Sequence, residues 1–270
     1  MRILGEISLS SKFSAQGGHA SGATPPPTDT LARVRAELAP TGVLRAGINM
    51  GNFLLVQGKD DTGAPTGVAP RVAAEVANRL DVPLKLVPYS SPGALADAAG
   101  TDAWDIGLIG ADPLRAERIT FTAAYCEIEA SYMVPPGSPL VDIAAVDMPG
   151  VKIAVSARSA YDLWLERNIR HATLARATGP GAAFDLYLSE RLDALAGLRP
   201  GLLADLARAP GHSVLDGRFM AVQQAIGLAK GKPSAETFLR KFVEDAKASG
   251  LIARFIAEYR VIGLSVAAAA

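Results

Sequence analysis

From residue 30 onwards, short apolar runs bounded by turn residues alternate with stretches whose apolar positions recur every three or four residues. The first pattern predicts buried strands, the second helices that cover them. The stretch from Trp104 to Tyr125 organises the rest. Ile106 to Ile109 predicts a buried strand, Gly110 and Pro113 end it in a turn, and Arg115, Glu117 and Arg118 follow at once. A cation just past the carboxyl end of a parallel strand lies where open α/β sheets bind ligands. Arg115 is therefore the first candidate ligand contact. On local sequence alone, a solvated Arg115 paired with Glu117 is the competing reading.

Taken in order, residues 30–38 predict a helix and 42–49 a strand whose exit loop presents Asn52 and Phe53 to a cleft wall. Residues 58–65 are dense in turn formers and predict a hairpin-like excursion. Val72, Val76 and Leu80 mark a core-facing helix, 84–87 a strand, Ser91-Pro92 a helix start, and 106–109 the next strand. That β, α, β, α, β order predicts a parallel sheet wrapped by helices. Residues 129–134 predict an extended crossover. A second α/β unit follows, with a helix at 142–148, strands at 151–155, 171–177 and 192–196, and helices from Ser159, over 182–191 and over 202–208. Residues 220–228 return the chain to the first unit. Two closing helices follow, one capped by Ser234 and carrying Phe238 and Phe242, the other carrying Ile252, Phe255, Ile256 and Tyr259 as core residues.

Ser159-Ala-Tyr161-Asp162 is a Ser-x-x-Asp variant of the capping box. It places Arg158, Ser159 and free N–H groups at a helix N-terminus directly after a strand, a corner that favours anions. An ordinary helix cap explains the same residues. Arg199 also falls near the end of a strand.

The chain's 27 basic and 27 acidic residues cancel, which argues against a nucleic-acid partner. One cysteine, Cys126, excludes an internal disulfide framework, and His19, His171 and His212 lack ligand spacing, so neither metal nor cofactor is expected. No apolar segment approaches the roughly 20 residues of a membrane span. Residues 1–28 predict a disordered extension without a secretory leader.

Pro113-Leu-Arg115 followed by Phe121-Thr-Ala-Ala-Tyr125, together with Gln223-Gln-Ala-Ile-Gly-Leu-Ala-Lys-Gly231, resembles motifs of the type II periplasmic binding proteins, in the polar-amino-acid solute-binding group. Residues 151–155 with Ser159, and 192–196 with Pro200, add to the resemblance, which runs from about residue 44 to 259. It implies a two-lobed α/β Venus-flytrap fold: lobe 1 from 29–128 and 226–264, lobe 2 from 129–225. It further implies a monomeric, periplasmic protein that passes a small anionic or zwitterionic carboxylate to the permease of an ABC importer. That location conflicts with the missing leader, which leaves a cytoplasmic or sensory module as an alternative. Arg115 would clamp the ligand carboxylate and Ser159 would complete that site, with Tyr161 on the same helix.

The departures are informative. The family's usual aspartate for an α-ammonium falls at Leu198, beside Arg199; its usual glycine is Arg158, and its usual threonine is Asp112. These changes predict that Arg115, Arg158 and Arg199 converge on an anion lacking an amino group, unless Asp112 supplies the negative charge. A dehydratase acting on cyclohexadienyl acids shares the same fold, and would draw a general acid from Asp112, Glu127 or Glu129.

Overall fold

The computed structural model describes residues 28–270. The expected disordered extension lies outside the described residues, except for Thr28, which opens helix α1 (Thr28–Leu38).

The first lobe is built on β1 (Leu44–Asn49), the short hairpin β2 (Gly58–Lys59) and β3 (Pro65–Thr66), α2 (Val68–Leu80), β4 (Leu84–Tyr89), α3 (Pro92–Asp97), β5 (Ile106–Gly110) and α4 (Pro113–Ala116). Strand β1 pairs in parallel with β4 on one side and β5 on the other. Helix α2 buries Val72, Val76 and Leu80 against this sheet, as the four-residue spacing requires.

The chain then crosses on β6 (Ile119–Val134) into the second lobe: β7 (Lys152–Ser156), α5 (Ala160–Asn168), β8 (Thr173–Ala177), α6 (Pro180–Ser189), β9 (Ala194–Leu198), α7 (Arg199–Asp205) and β10 (Ser213–Val214). It returns on β11 (Met220–Ala229) to α8 (Pro233–Ala248), α9 (Leu251–Glu258) and β12 (Ser265–Val266). The sheet order is β4-β1-β5-β11-β6-β9-β7-β8, with β10 and β12 joined to β6. Antiparallel β6 and β11 run through both lobes, with register shifts on either side of Ala225. Separate hydrophobic cores flank them. One gathers Val72, Leu108, Tyr125 and Phe242, and the other lobe contributes two, around Ile153 with Tyr161 and around Phe184 with Leu202.

Several elements differ from expectation. The helix expected at 142–148 is a single turn of 3-10 helix, Ala144–Val146. It stops because the Asp147 carboxylate accepts N–H bonds from Arg170, His171 and Ala172, and because Pro149 disfavours helix in the residue before it. Ser234 lies inside the first turn of α8 rather than capping it; the orphan N–H of Ala235 is satisfied instead by Glu37 of α1, at 2.7 Å. Strand β9 ends two residues later than expected and α7 starts three earlier, so Leu198 is the helix N-cap and Arg199 its first residue.

Candidate functional site

Between the lobes lies a cavity of about 250 Å³, bordered by the exit loop of β1, the starts of α3, α5 and α6, the end of β9, and Val222 and Gln224 of β11. Its size falls below the roughly 300 Å³ at which drug-sized pockets begin, so it suits a small solute. Helices α5 and α6 aim their N-termini into it, through Ser159-Ala160 and Gly179-Pro180. Their unpaired N–H groups and dipoles make the wall electropositive.

Arg115 supplies a full charge. Its side chain is buried, with 6 % of the residue exposed. One guanidinium nitrogen donates to the Gly110 carbonyl at 2.6 Å and the other to the Arg158 carbonyl, across the lobe boundary, at 2.9 Å. Among the described residues it has no ion-pair partner. Burial, reinforced by the nearby Arg158 charge and opposed by Asp112, lowers its pKa to about 10. It stays charged at neutral pH, with N–H groups left over for a ligand. Short connections produce this placement. Gly110 ends β5, and Asp112 caps α4 by accepting from the Leu114 N–H at 2.9 Å, so the four-residue helix turns Arg115 back over the strand end.

The Ser159 cap on α5 forms as its spacing predicts, Ser159 Oγ accepting from the Asp162 N–H at 3.0 Å; the return bond is displaced by one residue, Asp162 accepting from the Arg158 N–H at 2.7 Å while the Ser159 N–H donates to the Ser156 carbonyl. Ser159 and Tyr161 both line the cavity. Tyr161 is buried, and its hydroxyl pKa is raised by that burial despite hydrogen bonds to Ser159 and Ser156. Asn52 lines the opposite wall, where its side chain accepts from the Leu54 N–H and holds the β1 exit loop. Phe53, 47 % exposed, lies at a small side recess rather than in the main cavity.

The expected convergence of three guanidiniums does not occur. Arg158 lines the cavity with its left-handed backbone (φ 59°), but its guanidinium grips Asp97 of α3 in two bonds of 2.9 and 2.6 Å. A left-handed non-glycine residue is strained by about 1–2 kcal/mol, offset here by three contacts: its N–H to Asp162, its carbonyl from Arg115, and this clasp. Arg199 is turned away, donating to the carbonyls of Leu215 and Gly217 at 2.8 Å each. The end of β9, two residues later than the apolar run suggested, explains that orientation.

Asp112 is likewise committed elsewhere. Besides capping α4, it receives two bonds from Arg167 of the other lobe, at 3.1 and 2.6 Å. Glu127 and Glu129 lie on β6, where Glu127 accepts from Gln223 and both face Arg218. None of the three borders the cavity, and no aspartate or glutamate is found among the described residues lining it. Local sequence did not single out Ser156, Thr178 or Gln224 as cavity residues, and only the family resemblance pointed to Leu198. Only the packing of the two lobes brings them there.

The family model for bacterial extracellular solute-binding proteins, family 3, matches residues 46–261. The chain belongs to this family. Solved structures agree on the fold of this family 3 protein. A mutant of ArgBP from T. maritima is 20 % identical, covering 84 % of this chain and 99 % of that one, with a TM-score of 0.68. A putative ABC-transporter binding component from Wolinella succinogenes, complexed with lysine, is 23 % identical over 82 % and 97 %, also with a TM-score of 0.68. An ancestral amino acid-binding protein, described as a precursor of cyclohexadienyl dehydratase, is 21 % identical over 85 % and 98 %, with a TM-score of 0.67. No curated protein sequence matches the chain. Among the described residues, no helix of this family 3 protein is long and apolar enough to cross a membrane.

Proposed function

We propose that this protein captures a small carboxylate anion lacking an α-ammonium group, and delivers it from the periplasm to the permease of an ABC importer. One observation carries the reading: among the described residues, Arg115 is a buried cation without a carboxylate partner, in a cavity bordered by no acidic side chain and by Leu198. An unpaired buried charge is costly, and an incoming carboxylate removes that cost with paired, charge-assisted bonds. An α-ammonium would instead be buried opposite Leu198 without a carboxylate to pair its charge. The hinges belong near residues 128–129 and 225–226; the register shifts around Ala225 supply local twist at the second. Closure then brings Asp97 to Arg158 and Asp112 to Arg167, two paired contacts spanning the lobes.

Among the described residues no carboxyl group lines the cavity, which favours binding over a dehydratase that draws its general acid from an aspartate or glutamate. Calorimetric titration with mono- and dicarboxylates beside polar amino acids tests the proposal. Binding of carboxylates without an amino group is expected; tight binding of an amino acid alone would refute it. Turnover of prephenate or arogenate would point to the enzyme.

A further inference from the structure

Beside the main cavity, in lobe 2, lies an apolar recess of about 40 Å³, lined by Phe53, Tyr161, Leu195, Leu198 and Leu202 among others. The two spaces share Gly51, Tyr161, Pro180 and Leu198 in their walls, so they are immediate neighbours. Among the described residues Asp205 is the single charged one at the recess; its pKa is raised by burial and it faces Arg208 at 3.4 Å. Phe53 reaches over from the β1 exit loop: a Cβ at Gly201 of α7 would lie 3.2 Å from its ring. A half-exposed phenyl seated on a glycine of the opposite lobe roofs the recess. Meanwhile the two other guanidiniums expected at the site are occupied, Arg158 by Asp97 and Arg199 by backbone carbonyls.

We infer that the solute is a monocarboxylate with a short apolar tail: its carboxylate lies on Arg115, and its tail passes Leu198 into the recess beneath Phe53. This rests on the carboxylate reading above and narrows it. At about 40 Å³ the recess is much smaller than the main cavity of about 250 Å³, so it suits the end of a short chain.

The test is calorimetry on the full chain with acetate, propanoate, butanoate, pentanoate and hexanoate, alongside glutarate. Affinity is expected to rise about fourfold per methylene, the equivalent of ~0.8 kcal/mol, until the recess is filled, and then to level off. Glutarate is expected to bind at least tenfold more weakly than pentanoate. Phe53→Ala is expected to flatten the rise while leaving acetate unchanged, and Phe53→Leu to restore part of it. Measurable binding that ignores tail length, or a Phe53→Ala loss equal for acetate and pentanoate, would overturn the tail assignment and leave Arg115 as the carboxylate site. Preferential binding of glutarate would overturn the restriction to one carboxylate. Failure of every member to bind would overturn both readings.

Discussion

Replacing Arg115 by methionine is expected to move stability and binding in opposite directions. Burial lowers the guanidinium's pKa from its ordinary value to about 10. At about 1.4 kcal/mol per tenfold change in an acid constant, holding the charge there costs the ligand-free fold roughly 3 kcal/mol. The sign follows from the depressed pKa of a cation: the cost is present wherever folded and unfolded chains are both protonated, and it fades only above about pH 10. Methionine removes the charge at similar length but leaves the Gly110 and Arg158 carbonyls without their donor, at about 1 kcal/mol each. The net expectation is a ligand-free protein stabilised by about 1 kcal/mol, or a Tm higher by about 2 °C for a chain of this size. The carboxylate, by contrast, loses its only full counter-charge, worth about 2–5 kcal/mol at a desolvated site, so affinity falls at least about 30-fold. Differential scanning calorimetry with and without the tightest-binding monocarboxylate, at pH 7 and in low salt, reads both effects. A variant that binds as before would refute the reasoning. So would a ligand-free Tm several degrees lower, because the guanidinium would then be a structural tie rather than a waiting counter-ion.

Leu198→Asp places a carboxylate in the cavity wall; titration should show monocarboxylate affinity falling at least tenfold and α-amino acids gaining the preference. Arg167→Met strips the partner from Asp112, whose side chain is only 3 % exposed in this closed arrangement, while opening the lobes would let water solvate it. The closed form should lose about 1.4 kcal/mol, seen as about tenfold weaker ligand binding and a larger radius of gyration in small-angle scattering. Arg158 lowers the pKa of Asp97, so their clasp contributes above the ordinary carboxylate range near pH ~4 and is lost as pH falls through the lowered value. The ligand-free radius of gyration should rise there, and Asp97→Asn should show the larger radius already at pH 7.

Local pattern determined much of this protein. The apolar run 106–109, the four-residue spacing in α2 and the Ser159 cap each encode a structure that needs only near neighbours, and each forms. Arg115's place at the cavity was legible for the same reason, since a turn directly after a buried strand leaves a side chain few places to go. Tertiary structure decided what the other charges do. Arg158, Arg199 and Asp112 look equally available along the chain, yet Asp97 is 61 positions from Arg158 and Arg167 is 55 from Asp112. Sequence neighbours cannot reveal which long-range partner will neutralise a charge. Likewise the 16-residue β6 is a strand because β11 pairs along it, and the two-residue β12 because it pairs with β6. Ladder hydrogen bonds form between segments far apart in the chain, so such strands carry no sufficient signal of their own.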